Sequence, residues 1–153
     1  MGVLVCTDGK GIETFYPNPM PLPVDERIPK FIANDIAEAR VCLSAGAFKA
    51  AAILCRRALQ SVCIDKGIRS DKRLSDQISE LSERNVLTKD MVEWADSVRL
   101  VGNDIAHPKD TNPSMVSQQD ASDILDLVDH MARTLYVASE IARAQKERLK
   151  KKG

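Results

Sequence analysis

The sequence predicts an all-α protein: an up-down bundle of four main helices, with a short extra helix and a proline-rich N-terminal arm. Three observations predict it. From about residue 26 onward, apolar residues recur at three- and four-residue intervals. Glycine, proline and N-cap residues interrupt that rhythm where helices should begin and end. The connections left over are short, which makes consecutive helices antiparallel neighbours.

A chain of 153 residues fits one domain with a real core. The expected division is an arm over 1–25, the helical domain over 26–145 and a basic tail over 146–153. The arm is unlike the rest. Val3-Leu-Val-Cys6 is β-prone, Asp8-Gly-Lys-Gly11 is turn chemistry, and Tyr16-Pro-Asn-Pro-Met-Pro-Leu-Pro23 forces extended backbone.

The first helix begins between Asp25 and Pro29 and runs to Ala45, on the stripe Ile28, Ile32, Ile36, Ala39 and Leu43. Gly46 suits its end. The second runs from Ala47 to Lys66, with Ala47, Ala51, Leu54, Ala58 and Val62 as its stripe, Ala50 and Cys55 beside it, and Gly67 as its stop. Leu74, Ile78 and Leu81 mark the short helix, ending near Asn85. Thr88 is an N-cap for the next, whose apolar face is Met91, Trp94, Ala95, Val98, Val101 and Ile105. Pro108 stops it. Ser117 with Asp120 three residues on resembles a capping box. The last helix then runs beyond Ala144 on the stripe Ala121, Ile124, Leu125, Val128, Ala132, Leu135, Ala138 and Ala142.

Composition narrows function. Net charge is zero, which argues against a protein that coats nucleic acid but leaves room for a local basic surface. Aromatics make up 4%, too few for a base-stacking platform. No apolar run approaches the roughly 18–20 residues of a membrane span. The N-terminus has no basic region before its apolar patch, so a cytoplasmic location without membrane contact is expected. Cys6, Cys42, Cys55 and Cys63 form no Cys-x-x-Cys pair, and neither histidine lies at zinc-finger spacing from them. They read as reduced, small apolar residues, and no metal site or cofactor is expected.

The most chemically specific stretch is Arg99-Leu-Val-Gly-Asn-Asp-Ile-Ala-His107. Arg99, Asn103 and His107 stand at i, i+4 and i+8, each rotated by only about 40° from the last, so they project along one side of a helix. A cation, an amide and an imidazole in line suit phosphate chemistry. His107 has the right range for proton transfer, Arg99 could hold a phosphate in a bidentate contact, and Asn103 could orient either. A structural role comes before that chemistry: Arg99 paired with an acid such as Glu38 or Asp126, with Asn103 and His107 bonded to neighbouring helices or capping loops. His130, beside the core stripe, reads as structural. The run from Arg143 to Lys152 is basic, and Arg56, Lys146, Arg148 and Lys150 are the candidate ligand- or RNA-binding residues.

Three segments together carry a resemblance. Ile36-Ala-Glu-Ala39 and Cys42-Leu-Ser-Ala-Gly-Ala-Phe-Lys-Ala-Ala51 open as helix, small loop and alanine-rich helix. Arg56-Arg-Ala-Leu-Gln60 and Val98-Arg-Leu-Val-Gly-Asn-Asp-Ile-Ala-His107 follow. Over roughly residues 28 to 142 the chain resembles the bacterial domain-of-unknown-function family four-one-four-five. That family joins Arg-x-x-Leu-Glu on one helix to Arg-x-x-Gly-Asn-x-x-x-His on a later one. It is similar to the HEPN group (higher eukaryotes and prokaryotes nucleotide-binding) of helical bundles, many of them homodimers. Ribonucleases of that group carry Arg-polar-x-x-x-His and pair two such motifs at the dimer interface. Here Asn103 and His107 match, Gly102 occupies the arginine position, and Arg99 lies one turn earlier; Gln60 stands where the family more often has glutamate.

The resemblance implies a HEPN-like bundle that forms a homodimer through the helix of Arg99 to His107. The expected role is a non-catalytic or weakly catalytic interaction domain, with RNA or a protein partner, in a bacterial defence or RNA-related system. One alternative is a metal-independent ribonuclease with a composite active site of Arg99, Asn103 and His107. The other is a nucleotide- or anion-binding module.

Overall fold

The computed structural model describes residues 4–7, 9, 13–16, 22–96 and 116–151. In the arm, β1 (Leu4–Thr7) and β2 (Glu13–Tyr16) pair antiparallel, with Leu4 opposite Tyr16 and Thr7 opposite Glu13. The β-prone segment and the turn chemistry after it are thus the two ingredients of a hairpin. The rest of the described chain is helical with connecting turns.

Helix α1 (Lys30–Ser44) starts at Pro29, whose missing N–H costs nothing where a helix has no partner for it. It buries Ile32, Asp35, Ile36 and Ala39, and Ile28 just before it is buried too. Gly46, at φ +75°, reverses the chain. Its N–H donates to the Leu43 carbonyl and that of Ala47 to the Cys42 carbonyl, which satisfies the helix end. Helix α2 (Phe48–Asp65) therefore returns along α1.

Helix α2 buries Ala51, Ala52, Cys55, Ala58, Leu59, Val62 and Cys63. Ala47 and Ala50, expected on or beside the stripe, are exposed. The buried side turns instead toward Ala52, Leu59 and Cys63, because α2 packs against α1, α3 and α5 rather than along one seam. Its many alanines let those neighbours approach closely. Burial pushes the thiols of Cys55 and Cys63 up to about 12, so both remain protonated, unreactive core residues. Cys42 is half-buried and also free.

Helix α3 (Leu74–Glu83) buries Leu74, Gln77, Ile78 and Leu81. Gln77 is fully buried, and its Nε2 donates to the Arg69 carbonyl at 2.8 Å. Asn85, at φ 57°, closes α3 as Gly46 closes α1, with the Val86 N–H donating to the Leu81 carbonyl. Helical backbone resumes at residue 89 and is described through 96; we call this α4. Thr88 caps it, its Oγ1 accepting from the Met91 N–H at 3.3 Å.

Helix α5 (Gln118–Ala132) starts with a complete capping box. The Ser117 hydroxyl accepts from the Asp120 N–H, and the Asp120 carboxylate accepts from the Ser117 N–H. Aspartate fills the place usually held by glutamate or glutamine. Ser117→Ala is expected to lower the unfolding free energy by about 1 kcal/mol in urea titrations, without changing the slope.

A π-helical turn, Arg133–Ala138, links α5 to α6 (Ser139–Lys150). The buried stripe of α5 is Ala121, Ile124, Leu125, Leu127, Val128, Met131 and Ala132. Val137 is the last buried residue among those described; Ala138 and Ala142, expected to continue the stripe, are exposed. The wider π turn rotates everything after it relative to α5.

The core is one cluster made by α1, α2, α3, α4, α5 and the π turn. Ile32, Ile36, Val62, Leu81, Leu127, Val128 and Met131 lie at its centre. Among the described residues, no helix is long and apolar enough to cross a membrane.

Candidate functional site

Arg99, Asn103 and His107 lie outside the described residues, as does Gly102. The described residues before them are those of α4, of which Met91 and Ala95 face the core. Trp94 is half-buried beside them. Its ring centre lies 5.8 Å from that of His130 on α5, at 44° between planes. His130 is exposed, and the two rings are tilted against each other. Glu38 and Asp126, the acids considered for Arg99, are both exposed.

The four candidate binding residues separate. Arg56 is half-buried on α2. Lys146, Arg148 and Lys150 are exposed on α6. Among the described elements, α6 packs only against the π turn, so Arg56 is not brought to the other three.

Three clusters emerge that patterning alone did not single out. The first is a tie across the bundle. The Tyr136 hydroxyl donates to Asp65 Oδ2 at 2.7 Å, and Lys66 Nζ stands 4.0 Å above the tyrosine ring centre. Burial, then the Asp65 carboxylate, pushes the Tyr136 hydroxyl above the ordinary tyrosine range. It therefore stays protonated and pins the π turn to the end of α2. The clue in sequence is slight, because Asp65 and Tyr136 are 71 residues apart.

The second is Asp35, a carboxylate only 5% exposed on the buried side of α1. Its Oδ2 stands 3.3 Å from Nε of the exposed Arg57 and has no hydrogen bond among the described residues. Burial raises its pKa above the ordinary 3.8; Arg57 opposes the rise and Glu38 adds to it. Its place between Ile32 and Ile36 is a readable signal.

That shift fixes a sign. A carboxyl with a raised folded pKa binds its proton more tightly in the native state than in the unfolded chain. Its contribution is complete below the unfolded value of 3.8 and is lost as pH rises through the folded value. Asp35→Asn should therefore gain stability relative to the parent as pH rises from 3.8 upward, read by urea unfolding at a series of pH values. A difference that stays constant with pH would show that Asp35 titrates normally.

The third is an open cleft of about 460 Å³ lined by Arg27, Glu140, Ile141, Ala144, Gln145 and Arg148. It lies between α6 and the segment that leads into α1. Arg27 is oriented by Asp25, whose Oδ1 and Oδ2 accept from its Nε and Nη2 at 2.8 and 2.6 Å. That hydrogen-bonded pairing holds the Asp25 carboxyl down at about 2. Glu140 meets Arg143 at 3.3 Å. Ile141 is 50% and Leu149 is 61% exposed. Among the described residues, no group of three or more histidine, cysteine or carboxylate side chains is placed to hold a metal ion.

These features define a class: a helical-bundle domain whose C-terminal helix is basic and stands free of the core. The family described as Domain of unknown function (DUF4145) matches residues 37–152, and the chain belongs to it. The match takes in both Arg56-Arg-Ala-Leu-Gln60 and the Arg99 to His107 stretch. No curated protein and no solved structure matches the chain significantly.

Proposed function

We propose that the chain is a HEPN-like helical interaction domain, cytoplasmic and dimeric, non-catalytic or weakly catalytic, in a bacterial defence or RNA-related system. The observation that carries this reading is α6. It is 12 residues long and buries none of them, yet it carries Ile141, Ala142, Ala144 and Leu149 among its cations. Its backbone continues α5 through the π turn, so it is helical without packing of its own and holds these side chains out on the surface. A side that is apolar and charged, and that no helix among the described residues other than the adjoining π turn packs against, supports a surface completed by another molecule. The two copies would pair through the helix of Arg99 to His107, as the family resemblance implies, leaving α6 to a further partner.

The test combines mass and chemistry. Sedimentation of the full chain should give twice the chain mass. Labelled tRNA and single-stranded RNA, in EDTA, should be cut weakly or not at all, and equally by the parent and His107→Ala. Strong cleavage that His107→Ala abolishes, with its fold intact, would replace this reading by the ribonuclease with its composite site of Arg99, Asn103 and His107.

A further inference from the structure

Resting on the interaction reading, we infer that the cleft between α6 and Arg27 takes an acidic amphipathic helix of a partner protein. Three features of the surface specify that chemistry.

The first is its charge. From Ser139 to Lys151 the helix carries Arg143, Lys146, Arg148, Lys150 and Lys151 against Glu140 and Glu147. Glu140 is taken up by Arg143. Lys146, Arg148, Lys150 and Lys151 form no ion pair among the described residues. Since the whole chain has net charge zero, this excess is local to α6 and not a general property of the surface. A partner carrying carboxylates gains from it.

The second is the floor. Ile141, Ala144 and Arg148 stand at i, i+3 and i+7, on one side of α6, with Gln145 beside them and Arg27 across the cleft. Apolar surface runs along the bottom, with Arg148 on one side, Arg27 and its Asp25 partner on the other, and Glu140 in the lining, paired with Arg143. An amphipathic helix lays apolar side chains at i, i+3 or i+4, and i+7 into such a groove and leaves its charged residues at the rim. An acidic helix would set a carboxylate against Arg148, where the planar guanidinium favours bidentate contact, while Arg27 on the far side is already held by Asp25.

The third is what does not fit. Laying α6 along the α6 of a second copy brings two cation-rich surfaces together in either direction. Laying it along α5 of a second copy meets the acids Asp123 and Asp126, but none of the exposed large apolar residues lies on α5. Ile141 and Leu149 would stay wet. Nucleic acid would satisfy the cations, but the cleft offers no aromatic ring for a base to stack on. An acidic protein helix satisfies both charge and floor.

The test uses the full chain and a fluorescein-labelled designed helix of about 18 residues, with leucines on one face and glutamates elsewhere. Its companions are a scrambled peptide of the same composition, the same helix with lysine for glutamate, and a single-stranded RNA oligonucleotide. The acidic amphipathic helix should bind, and weaken as salt is raised. Ile141→Asp and Arg148→Glu should each reduce affinity by about tenfold, while circular dichroism stays that of the parent. Both residues are exposed, so folding does not depend on them.

The proposal is overturned if the acidic helix does not bind, if the scrambled peptide binds equally well, or if RNA binds more tightly and the same two variants abolish it. It is also overturned if Ile141→Asp changes the sedimenting mass of the chain alone, since a second copy then occupies the cleft. In that last case the interaction reading stands and only the partner class fails. The reading itself fails separately, through His107-dependent cleavage of RNA.

Discussion

Leu127→Ala is expected to lower the unfolding free energy by about 2–5 kcal/mol, the largest effect of any single truncation proposed for this chain. Leu127 is fully buried on α5. Its place is unusual for that helix. The sequence stripe runs through Ile124, Leu125 and Val128, and Leu127 lies off it, between the acids Asp126 and Asp129. It is buried all the same, because α5 is covered on more than one side: by α2, by α1 and by the core residues of α4. Removing three carbons at such a point opens a cavity that neighbours on several sides cannot all collapse into. Leu149→Ala removes the same atoms from a residue 61% exposed on α6 and should change stability by less than about 0.5 kcal/mol. Urea unfolding of the two variants side by side checks both, with an unchanged slope showing that the denatured state is comparable. A small loss at Leu127 would mean that α5 is less enclosed than described.

Arg40→Ala should cost about 2–3 kcal/mol, and for a different reason. Arg40 leaves α1 and meets three oxygens on two other segments. Nη2 donates to Asp129 Oδ1 and Oδ2 at 2.7 and 2.5 Å, and Nη1 to the Leu22 carbonyl at 2.6 Å. The side chains are only 12% and 25% exposed. Cutting one partner from a fully buried pair costs about 3–5 kcal/mol, because a charge is left in low dielectric. Asp129 retains some access to water, which places the expected loss below that range. Arg40→Lys should recover less than half of it, since a point charge on a flexible stem cannot serve three acceptors as a planar fork does. The double variant Arg40→Ala with Asp129→Ala should lose less than the two single losses added together. Simple addition would mean that the two groups do not depend on each other.

The anchoring by Arg40 also shows what the sequence could and could not reveal. Helix ends were legible because each is set by a local rule: Gly46 and Gly67 for reversal, Thr88 and Ser117 for capping. The inner side of α1 was legible because it meets the bundle along one stripe. The partners of α2 and α5 were harder, since helices enclosed on several sides lose a single clean stripe, and Ala47, Ala50 and Leu127 all depart from it. Arg40 with Asp129, and Asp65 with Tyr136, could not be paired from sequence, because nothing local links residues 89 or 71 positions apart. Asp35 and Gln77 could have been noticed as polar residues standing in apolar rows. Of the candidate site, the spacing of Arg99, Asn103 and His107 comes from sequence alone, and those residues lie outside the described ones. The cleft at α6 was invisible to periodicity because the π turn breaks the period.

That turn has a consequence for how the family can diversify. A π turn of this kind corresponds to one residue more than a regular helix would hold. Losing a single residue between Arg133 and Ala138 would let the turn close to regular α-helix, with α5 and its core contacts in place and α6 facing as it does now. Ile141 and Arg148 would stay beside Arg27. The turn is therefore a point where one residue can be gained or lost without disturbing either the interior or the cleft. Relatives one residue shorter here should keep the same interior and the same face toward Arg27.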